Sequence, residues 1–353
     1  MLMRITALFR SILILLILLL FMAGCSNFPV SPGSGSPILL IDLLQNPEGE
    51  FTPTPTPFQP ASSEDDPGLF PGEIATITPT PGKGYGISLG LDRPAGQINI
   101  LLLGSDWRPG EGYRTDVILL LSLMPEQGIA TITSFPRDIY VYIPGYGYQR
   151  INAAQPYGGF ELTRKTFEEN FDAPVDYYMM TNFAGFVSII DTLGGITVNA
   201  SHELYDRCDL PQAINKMCYI PAGRVTMNGE TALWYVRSRK STDDFDRTRR
   251  AQEVIIAIAQ KTMSLNAASR AAELFNLFRN AVETDITLEV VAKALPLATK
   301  IMQEPSTMQR YAITEADITH HVVPETGAMV LIPNNESIAE IIRQAIYPLT
   351  TQN

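Results

Sequence analysis

Residues 98–103, 117–123 and 129–135 are apolar runs of strand length, and no other feature of this 353-residue chain restricts its fold as tightly. The second and third are joined by Met124-Pro125-Glu126-Gln127-Gly128, a turn short enough to favour antiparallel neighbours. Further along, the pattern predicts a strand at 139–143, a helix at 160–171, a strand at 175–181 and a helix at 184–193 stopped by Gly194-Gly195. A short strand at 196–199, a helix at 228–233 and an extended stretch at 234–239 come next. A long amphipathic helix is expected at 247–263, with helical patterns at 267–282, 287–302 and 337–347. Helices interleaved with strands behind an opening hairpin predict an α/β fold, with a central mixed β-sheet between helical layers.

If the first two strands are antiparallel, the end of one and the start of the next share an edge of the sheet. Asp106 follows the first run, Arg114 and Asp116 precede the second, and Arg137 follows the third. These four residues converge at one rim, where open sheets commonly bind ligands. The connection between the first two strands is long for a compact domain, which is itself a mark of function. A second group lies at 234–252, where six basic residues stand among three acidic ones. Arg237 and Arg239 share one face of the expected extended segment, and Arg247 and Arg250 one face of the long helix. Asp243, Asp244 and Asp246 at that helix start read adequately as caps that complement its dipole. Carboxylates beside several arginine forks suit a pyrophosphate with a divalent cation, because Mg²⁺ takes one or two protein carboxylates plus phosphate oxygens. No P-loop accompanies the set, so a nucleotide fits poorly.

Composition narrows the choice further. The chain carries 19 Arg against 7 Lys within a net charge of −11, and that acidic excess argues against a nucleic-acid binder. Three Cys and three His are too few for a usual zinc site. Residues 26–97 hold 13 of the 26 prolines and 10 of the 25 glycines, the composition of a disordered tether that cannot bury a core. Inside it, Gly86-Ile87-Ser88-Leu89-Gly90 matches a hydrolase nucleophile elbow in letters only, with no strand before it and no helix after. Ahead of the tether, Arg4 and Arg10 precede an apolar stretch at 11–24, short for a membrane span and suited to a signal-peptide core. Residues 1–25 are therefore expected to be a lipoprotein-type signal peptide or a membrane anchor. Met22-Ala23-Gly24-Cys25 resembles a lipobox, in which Cys25 is lipidated. Either reading places the rest outside the cytoplasm, where Cys208 and Cys218 are expected to form a disulfide.

An ordered series of motifs resembles the LytR-CpsA-Psr proteins of bacterial cell envelopes. It runs through Ile98-Asn99-Ile100-Leu101-Leu102-Leu103-Gly104-Ser105-Asp106, Arg114-Thr115-Asp116, Phe135-Pro136-Arg137-Asp138 and Ile143-Pro144-Gly145. It continues with Ile151-Asn152-Ala153-Ala154, Gly158-Gly159 and Asp191-Thr192-Leu193-Gly194-Gly195-Ile196. Asn228-Gly229-Glu230-Thr231-Ala232-Leu233, Tyr235-Val236-Arg237-Ser238-Arg239 and Asp244-Phe245-Asp246-Arg247, with Arg250 and Gln252, complete it. Arg150 departs from the family's more usual Lys, and Ala251 stands where a Gln is more usual.

The resemblance implies an α/β/α sandwich at 98–350 whose apolar pocket holds the prenyl chain of a polyprenyl-pyrophosphate lipid. It implies an extracytoplasmic phosphotransferase that moves a glycopolymer from that carrier to a peptidoglycan sugar hydroxyl. Carried over, Asp106 and Asp116 would bind Mg²⁺ (or Mn²⁺). Arg114, Arg137, Arg237, Arg239 and Arg247 would hold the pyrophosphate, Asp244 would orient an arginine, and Arg250 and Gln252 would complete the phosphate-binding set. The pocket itself is not assigned by sequence: Phe183, Phe186, Val187 and Ile190, and Leu274, Phe275 and Phe278, are stripes of the kind that ordinarily form core. Two alternatives stand beside transfer: hydrolysis of the same lipid pyrophosphate, and a non-enzymatic lipid-binding or regulatory role of the transcriptional-attenuator type.

Overall fold

The computed structural model describes residues 86–107, 113–238, 244–264 and 281–348, apart from the side chains of Asp244 and Leu288. The expected leader with Cys25, the tether up to residue 85, Arg239, the Asp244 side chain and the Leu274, Phe275, Phe278 stripe lie outside these residues. So does most of the helix expected at 267–282.

β1 (Ile98–Ser105), β2 (Thr115–Met124) and β3 (Ile129–Ser134) pair antiparallel in succession, as the apolar runs and the short turn require. A small hairpin of β4 (Tyr140–Ile143) and β5 (Gly147–Arg150) leads into α1 (Ala154–Phe171). That helix is broken at Gly158 and Gly159, where Gly159 takes φ 62°, ψ −160°. The break explains why the helical pattern becomes readable only from Phe160. β6 (Tyr177–Asn182) returns parallel to β1 and runs directly into α2 (Phe183–Thr192), with the Asn182 side chain accepting the Gly185 N–H as its cap. A satellite of two-stranded ribbons follows: β7 (Ile196–Ala200) pairs with β10 (Gly223–Met227), and β8 (Leu204–Arg207) with β9 (Met217–Ile220). Then come α3 (Gly229–Arg237), α4 (Asp244–Ser264), β11 (Glu283–Thr284), α5 (Leu288–Gln303) and β12 (Met308–Ala312). The hairpin of β13 (Ile318–Val322) and β14 (Met329–Pro333) precedes α6 (Asn335–Ile346).

The central sheet has the order β11-β6-β1-β2-β3-β12 and mixes parallel with antiparallel pairs. Its faces bury different halves of the same strands. Leu101, Leu103, Ile118 and Leu120 pack against Phe167 and Phe171 of α1 and Ile338 and Ile342 of α6. On the other face Ile100 and Leu123 meet Val290 and Leu297 of α5, while Leu119 and Ile132 meet Ala251 of α4. This is the expected α/β/α sandwich, each layer covering one apolar face. A further core joins α2, α3 and α4 to the ribbons through Ile190, Val198, Leu204, Tyr235 and Val254.

Two expectations change. The folded domain begins before Gln97, because Ile87 is buried in the α1–α6 core and the Leu89 N–H donates to Asp172 Oδ2 at 2.7 Å. Ser88 is exposed in a stretch with neither strand nor helix, so no nucleophile elbow exists there. The segment expected to be extended at 234–239 is helical as far as Arg237. Trp-Tyr-Val reads as strand by composition, but the Asn228 side chain caps the helix by accepting the Thr231 N–H, and burial of Tyr235 and Val236 on one face carries it through.

Candidate active site

The register of β1 and β2 builds the rim. Gly104 lies opposite Val117 and Ser105 opposite Thr115, so Asp116 is the extra residue of a β-bulge. Bulges re-aim side chains. Here the irregularity puts both Asp116 and Val117 on the cavity wall, while Thr115 turns to the other layer and donates toward the Asn152 carbonyl. Beyond the bulge, Asp106 N–H donates to the Arg114 carbonyl at 3.2 Å, and Arg114 N–H donates to Asp106 Oδ1 at 2.7 Å. The Arg114 guanidinium is exposed on this rim. Arg137, at the end of β3, donates from Nη1 to Asp116 Oδ1 at 2.6 Å and lies 3.4 Å from Asp138, which Arg150 approaches at 3.3 Å. The convergence inferred from strand direction is therefore present. Asp106, Arg114, Asp116 and Arg137 meet at one edge.

Facing Asp116 is a cavity of about 220 Å³ between the sheet and helices α2, α3 and α4. Leu102, Leu119, Met179, Phe186, Val254 and Ile258 make its wall apolar, and Asp116, Arg237 and Arg247 stand at its polar end. Arg237, the last residue of α3, places its guanidinium 4.2 Å from the centre of the Phe183 ring, a cation–π contact that fixes a long side chain. Arg247, in the first turn of α4, is only 5% exposed and donates to the Asp116 carbonyl at 3.2 Å. The α2 stripe divides: Phe183 and Phe186 line the cavity, Ile190 is core, and Val187 lies over Gly229. Asn182 also lines the cavity, and sequence reasoning missed it; the signal was a capping residue at the end of a strand.

Arg250 and Gln252 do not belong to this set. Arg250 is 1% exposed, donating to the carbonyls of Tyr235 and Ser238 and pairing with Asp246. Gln252 is buried against the sheet, donating to Ser134 Oγ at 2.5 Å and to the Tyr311 carbonyl at 2.7 Å, while Arg310 Nε donates to its Oε1 at 3.0 Å. Both hold elements together, and neither lines this cavity. Burial lowers the Arg250 and Arg310 guanidinium pKa values. At Asp246 burial pushes the carboxyl upward, but Arg249 and Arg250 outweigh it and hold the group below its ordinary range. The expected disulfide is present, joining Cys208 to Cys218 with Cα atoms 5.7 Å apart. Among the described residues no three or more His, Cys, Asp or Glu side chains cluster as a metal site.

The fold and the rim thus define an α/β/α sandwich with an apolar cavity that also has Asp116, Arg237 and Arg247 in its lining. The LytR_cpsA_psr family pattern matches residues 80–346, and the chain belongs to that family. It is 36% identical over 201 residues to the polyisoprenyl-teichoic acid–peptidoglycan teichoic acid transferase TagU of Oceanobacillus iheyensis, covering 54% of this chain and 60% of that one. It is 32% identical over 209 residues to the transferase TagT of Bacillus subtilis, covering 58% of this chain and 65% of that one. The chain thus spans about 60% of the length of the first relatives it matches. A solved structure of TagT bound to LIIa-WTA superposes with a TM-score of 0.55 at 26% identity, over 72% of this chain and 91% of that one.

Proposed function

We propose that this protein is an extracytoplasmic phosphotransferase that moves a glycopolymer from a polyprenyl-pyrophosphate carrier to a sugar hydroxyl of peptidoglycan. The observation that carries this reading is the two-ended cavity, apolar along its wall and cationic at its mouth. A prenyl chain fits the wall formed by Leu102, Phe186 and Val254, and a pyrophosphate fits the mouth formed by Arg237 and Arg247. The named activities of the transferases TagU and TagT support the same reaction.

Transfer of this kind asks little covalent chemistry of the protein and much positioning and charge neutralisation. The acceptor hydroxyl oxygen attacks the polymer-side phosphorus and gives its proton to solvent or to the departing phosphate, the bridging P–O bond breaks, and prenyl phosphate leaves with the added negative charge. Arg247 and Arg237 balance that charge, and Arg137 fixes the Asp116 carboxylate by holding one of its oxygens. The donor set fits a hard divalent cation. Asp106 and Asp116 share the rim, and each has one carboxylate oxygen engaged through Oδ1. Mg²⁺ (or Mn²⁺) held there would draw charge from the phosphate oxygens. Residues 1–25, through lipidated Cys25 or an uncleaved helix, supply the membrane anchor on this reading.

The test combines the full chain with Mg²⁺, a polyprenyl-pyrophosphate-linked glycan and peptidoglycan. Covalent glycan on peptidoglycan, with prenyl phosphate released in equal amount, is the expected result. Free phosphorylated glycan without a covalent product would make the protein a hydrolase. Lipid binding without turnover would make it a binding or regulatory protein.

A further inference from the structure

The C-terminal end of α3, which carries Arg237, is gripped from two sides by buried charges. From below, Arg250 donates to the Tyr235 and Ser238 carbonyls. From the other side, Ser238 Oγ donates to the carboxylate of Asp206, a residue 3% exposed whose Oδ1 accepts the Arg207 N–H at 2.7 Å. Asp206 sits on β8 directly opposite Cys218 on β9, and Cys208 follows β8 after Arg207. Two more bonds dock α3 on the same ribbon: Trp234 Nε1 donates to the Arg207 carbonyl at 2.8 Å, and Gln212 Nε2 to Thr231 Oγ1 at 3.0 Å.

Ribbon β8–β9 has strands of four residues that, among the described residues, pair with no other strand. Two-stranded ribbons this short are marginal by themselves. Its connection also holds Asn215 and Lys216 at φ 54° and 60°, a conformation that side chains disfavour. The disulfide closes this weak element at the point where Asp206 must be held still. A buried carboxylate keeps its place only while its hydrogen-bond donors do.

We propose that the Cys208–Cys218 disulfide and Asp206 form a clamp that positions Arg237, so that the oxidation state of the ribbon sets affinity for the pyrophosphate end of the ligand. Asp206 is a positioning residue acting through Ser238. The proposal rests on the reading of the cavity mouth as a pyrophosphate site. A dithiol reductant converts the bond to two thiols and is itself oxidised to a disulfide. The ribbon then opens locally, and the Asp206–Ser238 bond is lost while the sandwich stays folded.

The experiment uses the full chain in detergent with geranylgeranyl pyrophosphate as probe, oxidised or reduced with dithiothreitol. Reduction, Asp206→Ala and Ser238→Ala should each weaken probe binding about tenfold, which is about 1.4 kcal/mol. Asp206→Asn, which keeps an acceptor for Ser238, should recover most of it. In Ser238→Ala, reduction should add nothing further, the signature of one shared path. Hydrogen exchange without ligand supplies a second readout: amides 234–238 should exchange faster on reduction or in Ser238→Ala. Unchanged exchange there, or equal probe affinity in both oxidation states, would overturn the clamp. Faster exchange on reduction, in a chain that binds no probe even when oxidised, would instead leave the clamp standing and overturn the pyrophosphate reading.

Discussion

Arg247 donates to the Asp116 carbonyl beside the cavity, whereas Arg250, three positions on, reaches under α3 to the carbonyls of Tyr235 and Ser238. The two side chains predict opposite phenotypes. Arg247→Ala should lower transfer by at least about 10²-fold, the usual loss on removing a group that stabilises developing charge. Its urea midpoint should fall less than that of Arg250→Met, because its guanidinium borders the cavity. Asp116→Asn belongs with it, because the pair with Arg137 is partly exposed and contributes no more than about 1 kcal/mol to stability. Arg250→Met should instead cost about 3 kcal/mol, because it leaves two buried carbonyls without their donor and removes one of the guanidinium partners of Asp246. Asp246 adds a pH signature. Its folded pKa lies below the ordinary carboxylate value of about 4, so its stabilising contribution is complete above that value and is lost as pH falls through the folded pKa. Urea midpoints of the native chain and Asp246→Asn should differ clearly at about pH 7 and draw together as pH falls below the ordinary carboxylate value. The i, i+3 spacing announced a shared helix face for Arg247 and Arg250. Which of them lines the cavity was decided by where α3 crosses, and local spacing carries no record of that.

Elements that were legible are those whose apolar pattern and punctuation agree. The β2–β3 turn, the Gly194-Gly195 stop after α2 and the strand edges around Asp106 and Arg137 all fall where pattern placed them. What pattern hid was irregular. The bulge at Asp116 breaks the two-residue alternation, so strand parity alone assigns that carboxylate to the wrong face of the sheet. The cavity wall was hidden too, since Phe186 on α2 reads as ordinary core. Close approach of α2 to α3 sets that wall. A Cβ on Gly229 would lie 2.5 Å from the Val187 carbonyl oxygen, and the Gly229 N–H donates to Asp191 Oδ1 at 2.7 Å. Gly229→Ala should therefore push the helices apart and cost about 2 kcal/mol, within the usual range for overpacking. Chemical denaturation measures that cost, and weaker binding of a prenyl pyrophosphate should accompany it. An unchanged midpoint would mean that the helix pair yields more easily than the contact implies.

At the scale of the whole molecule, the cavity is a seam between two cores, the central sheet on one side and α2, α3 and α4 on the other. An apolar wall of that kind loses packing contacts when nothing lines it, so a ligand that fills it should tighten the entire domain. A ligand bound only to the folded state at 100 times its dissociation constant stabilises by about 2.7 kcal/mol. For a domain of this size that corresponds to a rise in Tm of roughly 5–10 °C. Geranylgeranyl pyrophosphate should produce such a rise, because it engages Arg237 and Arg247 and also covers Leu119, Phe186 and Val254. Inorganic pyrophosphate, compared at equal concentration, should shift Tm by no more than a degree or two, since it leaves the seam empty. A long-chain alcohol without phosphate should fall between them. Each group of contacts is then read separately, the arginines by the difference between alcohol and pyrophosphate ester, the wall by the difference between ester and inorganic anion. Equal shifts from inorganic and prenyl pyrophosphate would confine recognition to the cationic mouth. That outcome would remove the apolar cavity from the donor site, because a chain held only by its head gains nothing from the wall behind it.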